Sequence, residues 1–190
     1  MSTWKNMERD IANLISLWWF NAEKRIVRSP CSGGWPLKRG EGDVTCADIK
    51  DYPYFPFCVD SKHVKYIGKN KMWYLEQLLD CPKHLILKWW YEMNEMKPVK
   101  DDGKYRVLVM SKGGAKTGYM MVGEREAKWF TEASPEWKSL RKLCLHVGGS
   151  EDPQFQPEVL TFVKFTDFLD TVPSALLRKD WVCKRGLSDG

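Results

Sequence analysis

A chain of 190 residues with 43% hydrophobic and 29% charged residues is long enough for one domain with a real core and too apolar to be disordered. Its formal charge of +5 is compatible with a polyanionic partner. The six cysteines stand singly beside only three histidines, which excludes the clustered ligands of a structural zinc site.

No signal peptide precedes the first helical pattern and no apolar run approaches the length of a membrane span. Reduced thiols, a cytoplasmic location and no membrane partner are therefore expected. In chain order, Ser2 and Thr3 suit the cap of a helix over Trp4 to Ala22, with Trp4, Met7, Ile11, Leu14 and Trp18 as its buried stripe. Glu8 falls at the border of that stripe, where its carboxylate can lean over a sheet or simply serve the first turn. Arg25 to Arg28 reads as a short strand running into a Gly- and Pro-rich loop, SPCSGGWPLKRGEG. Such a loop can approach a phosphate through backbone N–H and hydroxyl groups, Lys38 and Arg39 adding charge, or be a plain surface connection. It is not a P-loop, because no Gly-Lys-Ser/Thr follows the glycines.

Asp43 to Ile49 and Phe55 to Lys62 read as paired strands around the turn-rich Lys50-Asp51-Tyr52-Pro53. Two helical patterns follow, Trp73 to Leu79 and Pro82 to Met96, the second with Leu85, Ile86, Trp89, Trp90 and Met93 as its apolar face. Tyr105 to Met110 is a near-continuous apolar run, suited to a strand buried on both faces. The glycine-rich SKGGAKTG is expected to turn back into a strand over Tyr119 to Val122. Further on come helices at Glu124 to Phe130, from Ser134-Pro135 and at Ser174 to Trp181, and strands at Leu143 to Val147 and Val159 to Phe165. Thr166 is placed to cap a short helix through Leu169. No composition shift marks a second domain, so residues 1–190 are expected as one α/β unit with a mixed central sheet flanked by helices.

The chemistry concentrates between Gly42 and Lys62. Alternation along a strand puts Cys58, Asp60 and Lys62 on one face and Phe57, Val59 and Ser61 on the other. An acid and an ammonium two residues apart, beside a strand headed by Asp43, suit a divalent-metal site, and they equally suit a surface ion pair. His63 alternates to the other face and reads as structural. No Ser-His-Asp pattern or dinucleotide fingerprint competes.

A helix with Glu8, a strand and loop with Ser32-Gly33-Gly34, then Gly42-Asp43-Val44, then Phe57-Cys58-Val59-Asp60-Ser61-Lys62 resembles, in that order, the PD-(D/E)XK nuclease superfamily. Within it the chain looks similar to archaeal-type Holliday-junction resolvases and their bacteriophage relatives, through SGGWPLKRGEGDV, FPFCVDSKH and the Leu75-Glu76-Gln77-Leu78-Leu79 helix followed by Lys88-Trp89-Trp90. The match covers about residues 4–122, leaving 123–190 as a C-terminal extension. The resemblance implies a restriction-endonuclease-like core and Mg²⁺, with Mn²⁺ as a substitute, held by Asp43, Asp60 and the Ser61 backbone carbonyl. It implies that Glu8 assists the metal, often through water, that Lys62 orients or activates the attacking water, and that Ser32 handles the scissile phosphate. Arg28, Lys38, Arg39 and Lys65 would face DNA. The second acid is more usually glutamate in these resolvases; the superfamily allows the shorter Asp60 found here. The implied function is a homodimeric endonuclease for four-way or other branched DNA, in the host cytoplasm if phage-encoded. A nuclease of other DNA specificity, or an inactive DNA-binding protein on the same fold, are the alternatives.

Overall fold

The computed structural model describes residues 3–29, 42–64, 85–112, 118–147 and 158–188. Helix α1 spans Thr3–Phe20. Its buried row is Met7, Glu8, Ile11, Ala12, Ile15 and Trp19, so the stripe is rotated from the expected one: Leu14 and Trp18 only flank the core, and the Trp4 side chain lies outside the described residues. The row 8-12-15-19 follows the 3.6-residue period with Glu8 at its head, within the buried face instead of at its border. Near the end of α1 the buried Ser16 hydroxyl donates to the Ala22 carbonyl (2.6 Å) and accepts from the Arg25 and Ile26 amides (2.8 and 3.1 Å). That one side chain folds the turn that delivers the first strand.

Strands β1 (Ile26–Arg28), β2 (Val44–Cys46) and β3 (Phe57–Val64) form an antiparallel meander. Strand β4 (Tyr105–Lys112) pairs parallel to β3, which demands a crossover. That connection carries α2 (Leu85–Glu92), a 3₁₀ turn at Met93–Glu95 and the single turn α3 (Lys97–Lys100). Strand β5 (Tyr119–Val122) returns antiparallel to β4. Strand β6 (Leu143–Val147) lies at the outer edge, and β7 (Glu158–Lys164) inserts between it and β5. The described strands thus make one mixed seven-stranded sheet, β1-β2-β3-β4-β5-β7-β6, flanked by helices. The segment expected as an extension is woven into it, β7 being paired directly to β5.

Alternation divides the sheet into two faces. Phe57, Val59, Val107, Val109 and Val163 meet α1, α4 (Glu124–Ala133), α5 (Phe165–Thr171) and α6 (Ser174–Arg185). This side holds a continuous ring network of Trp18, Trp19, Phe55, Phe57, Trp129, Phe130, Trp137, Phe168 and Trp181. Buried indoles keep their N–H bonded: Trp19 to the Tyr54 carbonyl (3.1 Å), Trp181 to the Pro53 carbonyl (2.9 Å) and Trp129 to Asp180 (2.6 Å). The opposite face carries Cys58, Leu108, Met110, Met121 and Phe162 beneath Ile86, Leu87, Trp90 and Met93 of the α2 region.

Several elements depart from expectation for local reasons. Strand β2 stops at Cys46, not Ile49, because Asp48 accepts the Lys50 amide (2.9 Å) and caps a 3₁₀ helix over Ile49–Tyr54. Within it the buried Asp51 pairs with the Arg25 guanidinium. Phe165 opens α5 instead of ending β7, and Thr166 falls inside the first turn; Lys164 holds the cap position with no side-chain cap bond. The expected Trp73 to Leu79 helix, the start of the Pro82 pattern, the 113–117 part of the SKGGAKTG turn and Ser2 lie outside the described residues, as do the side chains of His63 and Leu85.

The apolar run expected in β4 hides a charged centre. Arg106 is buried, its guanidinium 4.0 Å above the Trp90 ring and bonded to Glu158 Oε1 and Asn94 Oδ1, both at 2.7 Å. Its amide donates to Glu126 Oε1 (3.1 Å), whose carboxylate is fully buried. Trp90 Nε1 donates to the other Glu158 oxygen (2.7 Å).

Candidate metal centre

The site is assembled where β2 begins against β3. Gly42 adopts φ +81°, and a Cβ there would lie 2.5 Å from the Val59 carbonyl oxygen. Only glycine lets the chain pass this close and turn into Asp43, whose N–H donates to that same oxygen at 2.8 Å. The Ser29 amide donates to the Asp43 carbonyl (2.8 Å), so Asp43 is pinned from both neighbouring strands. Its Oδ2 accepts from the Ser61 amide (2.8 Å) and the Ser61 hydroxyl (3.0 Å). The carboxylate therefore takes the place of the next β2 backbone acceptor and is held in one orientation.

Asp60 projects from β3 toward the α2 face and is only 3% exposed. Lys62, two residues on and on the same face, brings Nζ to 2.6 Å from Asp60 Oδ2. Burial pushes the Asp60 carboxyl up to about 7; the Asp43 charge and a carboxyl–carboxyl hydrogen bond add to this, and Lys62 opposes it. For Lys62 burial works downward, but attraction to Asp60 and Asp43 outweighs it and raises its pKa, so the ammonium stays charged. The ring of Trp89 on α2 sits 5.9 Å from Lys62 Nζ.

The structure thus brings Asp43, Asp60 and Lys62 together. It does not bring Glu8 into the same group: that carboxylate is 4% exposed on the α1 side and paired with the Arg28 guanidinium of β1. The same pair accounts for Arg28, expected to face DNA but largely buried against Glu8. Ser32, Lys38, Arg39 and Lys65 lie outside the described residues. Ser61 follows Val59 by two residues, so its carbonyl faces the β2 edge beside Asp43. Sequence reasoning assigned that carbonyl and missed the Ser61 hydroxyl and amide that fix Asp43; the signal was a hydroxyl residue between the acid and the lysine. Trp89, read as part of the apolar face, is half-buried against that core and also brings its ring to 5.9 Å from Lys62 Nζ.

Among the described residues no group of three or more His, Cys, Asp and Glu side chains could hold a metal ion. The donor set that is present, two carboxylates and one backbone carbonyl, is all hard oxygen and fits Mg²⁺, which keeps several waters and needs few protein ligands. No described helix is long and apolar enough to cross a membrane. No family model, curated protein or solved structure matches the chain.

Two expected outcomes follow from this geometry. Gly42→Ala meets a backbone oxygen and a left-handed φ at once, so it should cost about 1–3 kcal/mol and displace Asp43. Thermal melts alongside a Mg²⁺ titration of the variant check both effects. The second concerns pH. Because the folded-state pKa of Asp60 is raised to about 7 from about 3.9, the metal-free folded state binds the extra proton between these values, and stability falls as pH rises through that window. A divalent cation requires the ionised carboxylate, so binding below pH 7 should release close to one proton. Apparent Mg²⁺ affinity should rise about tenfold per pH unit up to about 7 and flatten above it. Calorimetry in buffers of different ionisation enthalpy measures the proton count, and Asp60→Asn should abolish it.

Proposed function

We propose that the chain is a Mg²⁺-dependent DNA endonuclease, and that its substrate is a four-way junction or other branched DNA. The observation that supports this reading is the convergence of the Asp43 and Asp60 carboxyls with the Lys62 ammonium 2.6 Å from Asp60. When bound, Mg²⁺ (or Mn²⁺) neutralises phosphate charge and lowers the pKa of water. Asp43, Asp60 and the Ser61 carbonyl are the residues to hold it. Ser61 keeps Asp43 from rotating, so its second oxygen is offered in a fixed direction at no cost of reorganisation. Lys62 stays protonated and acts as a cation, stabilising negative charge that develops on the phosphate, not as a base. The net charge of +5 suits a polyanionic substrate. Preference for branched DNA and a two-fold dimer, which would supply paired cuts on opposing strands, rest on the sequence resemblance.

An inactive DNA-binding protein is the second reading. Its specific support is that only two acids meet at the site among the described residues, with Glu8 already paired to Arg28. Purified protein incubated with four-way junction, duplex and single-stranded DNA, in Mg²⁺ and in EDTA, separates the two. Metal-dependent cutting of the junction in preference to the others is the expected result. Cutting of all three alike points to a nuclease of other specificity, and binding without cutting leaves the inactive binder.

A further inference from the structure

Strand register places a row of side chains across the sheet at the level of Lys62. On the α2 face Lys62 stands beside Met110, Met110 beside Tyr119, and Tyr119 beside Lys164. One step toward the sheet centre the same face carries Leu108, Met121 and Phe162, all buried. In the row itself Met110 is buried, but Tyr119 is 61% exposed. Its exposure is not that of a loose loop. Strand β5 is paired on both sides, and the preceding Gly118 is pressed so close to β4 that a Cβ would fall 1.5 Å from the Met110 carbonyl oxygen. The Gly118 carbonyl also accepts the Phe165 amide at 3.0 Å. A rigid, exposed aromatic ring is a poor use of core-forming area and a good stacking surface.

Cations bracket it. Lys62 lies on one side and Lys164 on the other, the latter in an exposed i,i+3 pair with Asp167 at 3.2 Å. Among the described residues the acids facing the row are Asp167 at Lys164, and Asp60, Asp43 and Glu92 about Lys62. We infer that this row is a track for one DNA strand leading away from the carboxylate pair, with a base stacked on Tyr119 and a phosphate at Lys164. The inference rests on the nuclease reading and adds to it the path of the flanking strand. Strands in a sheet are about 4.8 Å apart, so Tyr119 stands about 10 Å and Lys164 about 14 Å from Lys62. These distances place Tyr119 and Lys164 within the first few nucleotides of the flanking strand.

The test uses the full chain with Ca²⁺ in place of Mg²⁺ and junction DNA carrying 2-aminopurine at successive positions beside the cut. Quenching is expected at one position within the first few nucleotides, on one side of the cut only. Tyr119→Ser should remove that quenching and weaken binding about tenfold, while Tyr119→Trp retains both. Lys164→Gln should lower the slope of log affinity against log salt by about one. Wild-type protein that cuts DNA, with Tyr119→Ser matching it in affinity and quenching, overturns the track and leaves the nuclease reading standing. Wild-type protein that neither binds nor cuts DNA in Mg²⁺ overturns both. Loss of binding to an acidic peptide in Tyr119→Ser, with DNA binding intact, assigns the row to a protein partner and overturns the track.

Discussion

Asp43→Asn is expected to abolish cleavage, by about 10²- to 10³-fold or more, while metal-free stability stays level or rises. The amide that replaces the carboxylate can still present an oxygen to the Ser61 amide and hydroxyl, so the strand entry is preserved. What disappears is a negative charge that acts against its neighbour Asp60, and relief of that repulsion stabilises the fold. The residue that helps raise the Asp60 pKa is thus also a proposed ligand, and one substitution separates stability from turnover. Lys62→Ala should lose cleavage to a similar degree but for a different reason. It removes a cation and leaves Asp60 buried without its 2.6 Å partner, so its metal-free stability should fall as pH rises. Cleavage rates, DNA affinity and pH-dependent melts of both variants check this. A folded variant of either kind that loses binding and cutting together would mean that these residues only hold DNA.

The largest stability effect is expected at Arg106. Replacing it with Met takes the shared cation from two carboxylates, leaving Glu126 with Arg125 at 3.1 Å and Glu158 with the Trp90 indole at 2.7 Å. Breaking a buried pair by removing one partner costs about 3–5 kcal/mol, a large share of the net stability of a domain. Glu126 is the more exposed to this loss in energetic terms, since its Oε2 is buried and has no hydrogen-bond partner among the described residues. The signature is in the pH dependence. Loss of the cation disfavours the charged form of these carboxylates, so the destabilisation should be greatest at neutral pH and shrink as pH falls. Removing Glu126 and Glu158 along with Arg106 should recover much of the loss. Denaturant melts of the single and triple variants at two pH values measure both effects.

The parts of the architecture that depend on local pattern were readable from the chain. Alternation in FCVDSK placed Asp60 and Lys62 on one face, and the β-branched run after Asp43 placed that acid beside them. The mixed sheet flanked by helices followed from the order of apolar runs. What was not readable depends on distant partners. Leu14 and Trp18 suit a buried stripe as well as Ile15 and Trp19 do, and only the sheet beneath α1 chooses between them. Arg106 sits within YRVLVM like a stray polar residue, because Glu126, Glu158 and Asn94 come from elsewhere in the chain. The pairing of Glu8 with Arg28 was not legible either, because nothing local announces that the two will meet. The insertion of β7 between β5 and β6 reverses the sequence order and leaves no trace in periodicity.

The ring network on the α1 side also determines what light can report. Trp18, Trp19, Trp129, Trp137 and Trp181 belong to a chain of neighbouring rings with centroids 4.8–6.4 Å apart, close enough for an excitation absorbed by one indole to migrate through the rest. Their pooled emission is set by a dry interior on the face of the sheet away from Asp60 and Lys62. Trp89, beside the Lys62 ammonium, belongs to the other face and contributes separately. The emission of these five indoles is therefore a gauge of whether the α1 side is assembled, and Trp89 is the described indole placed to sense what arrives at the carboxylate pair.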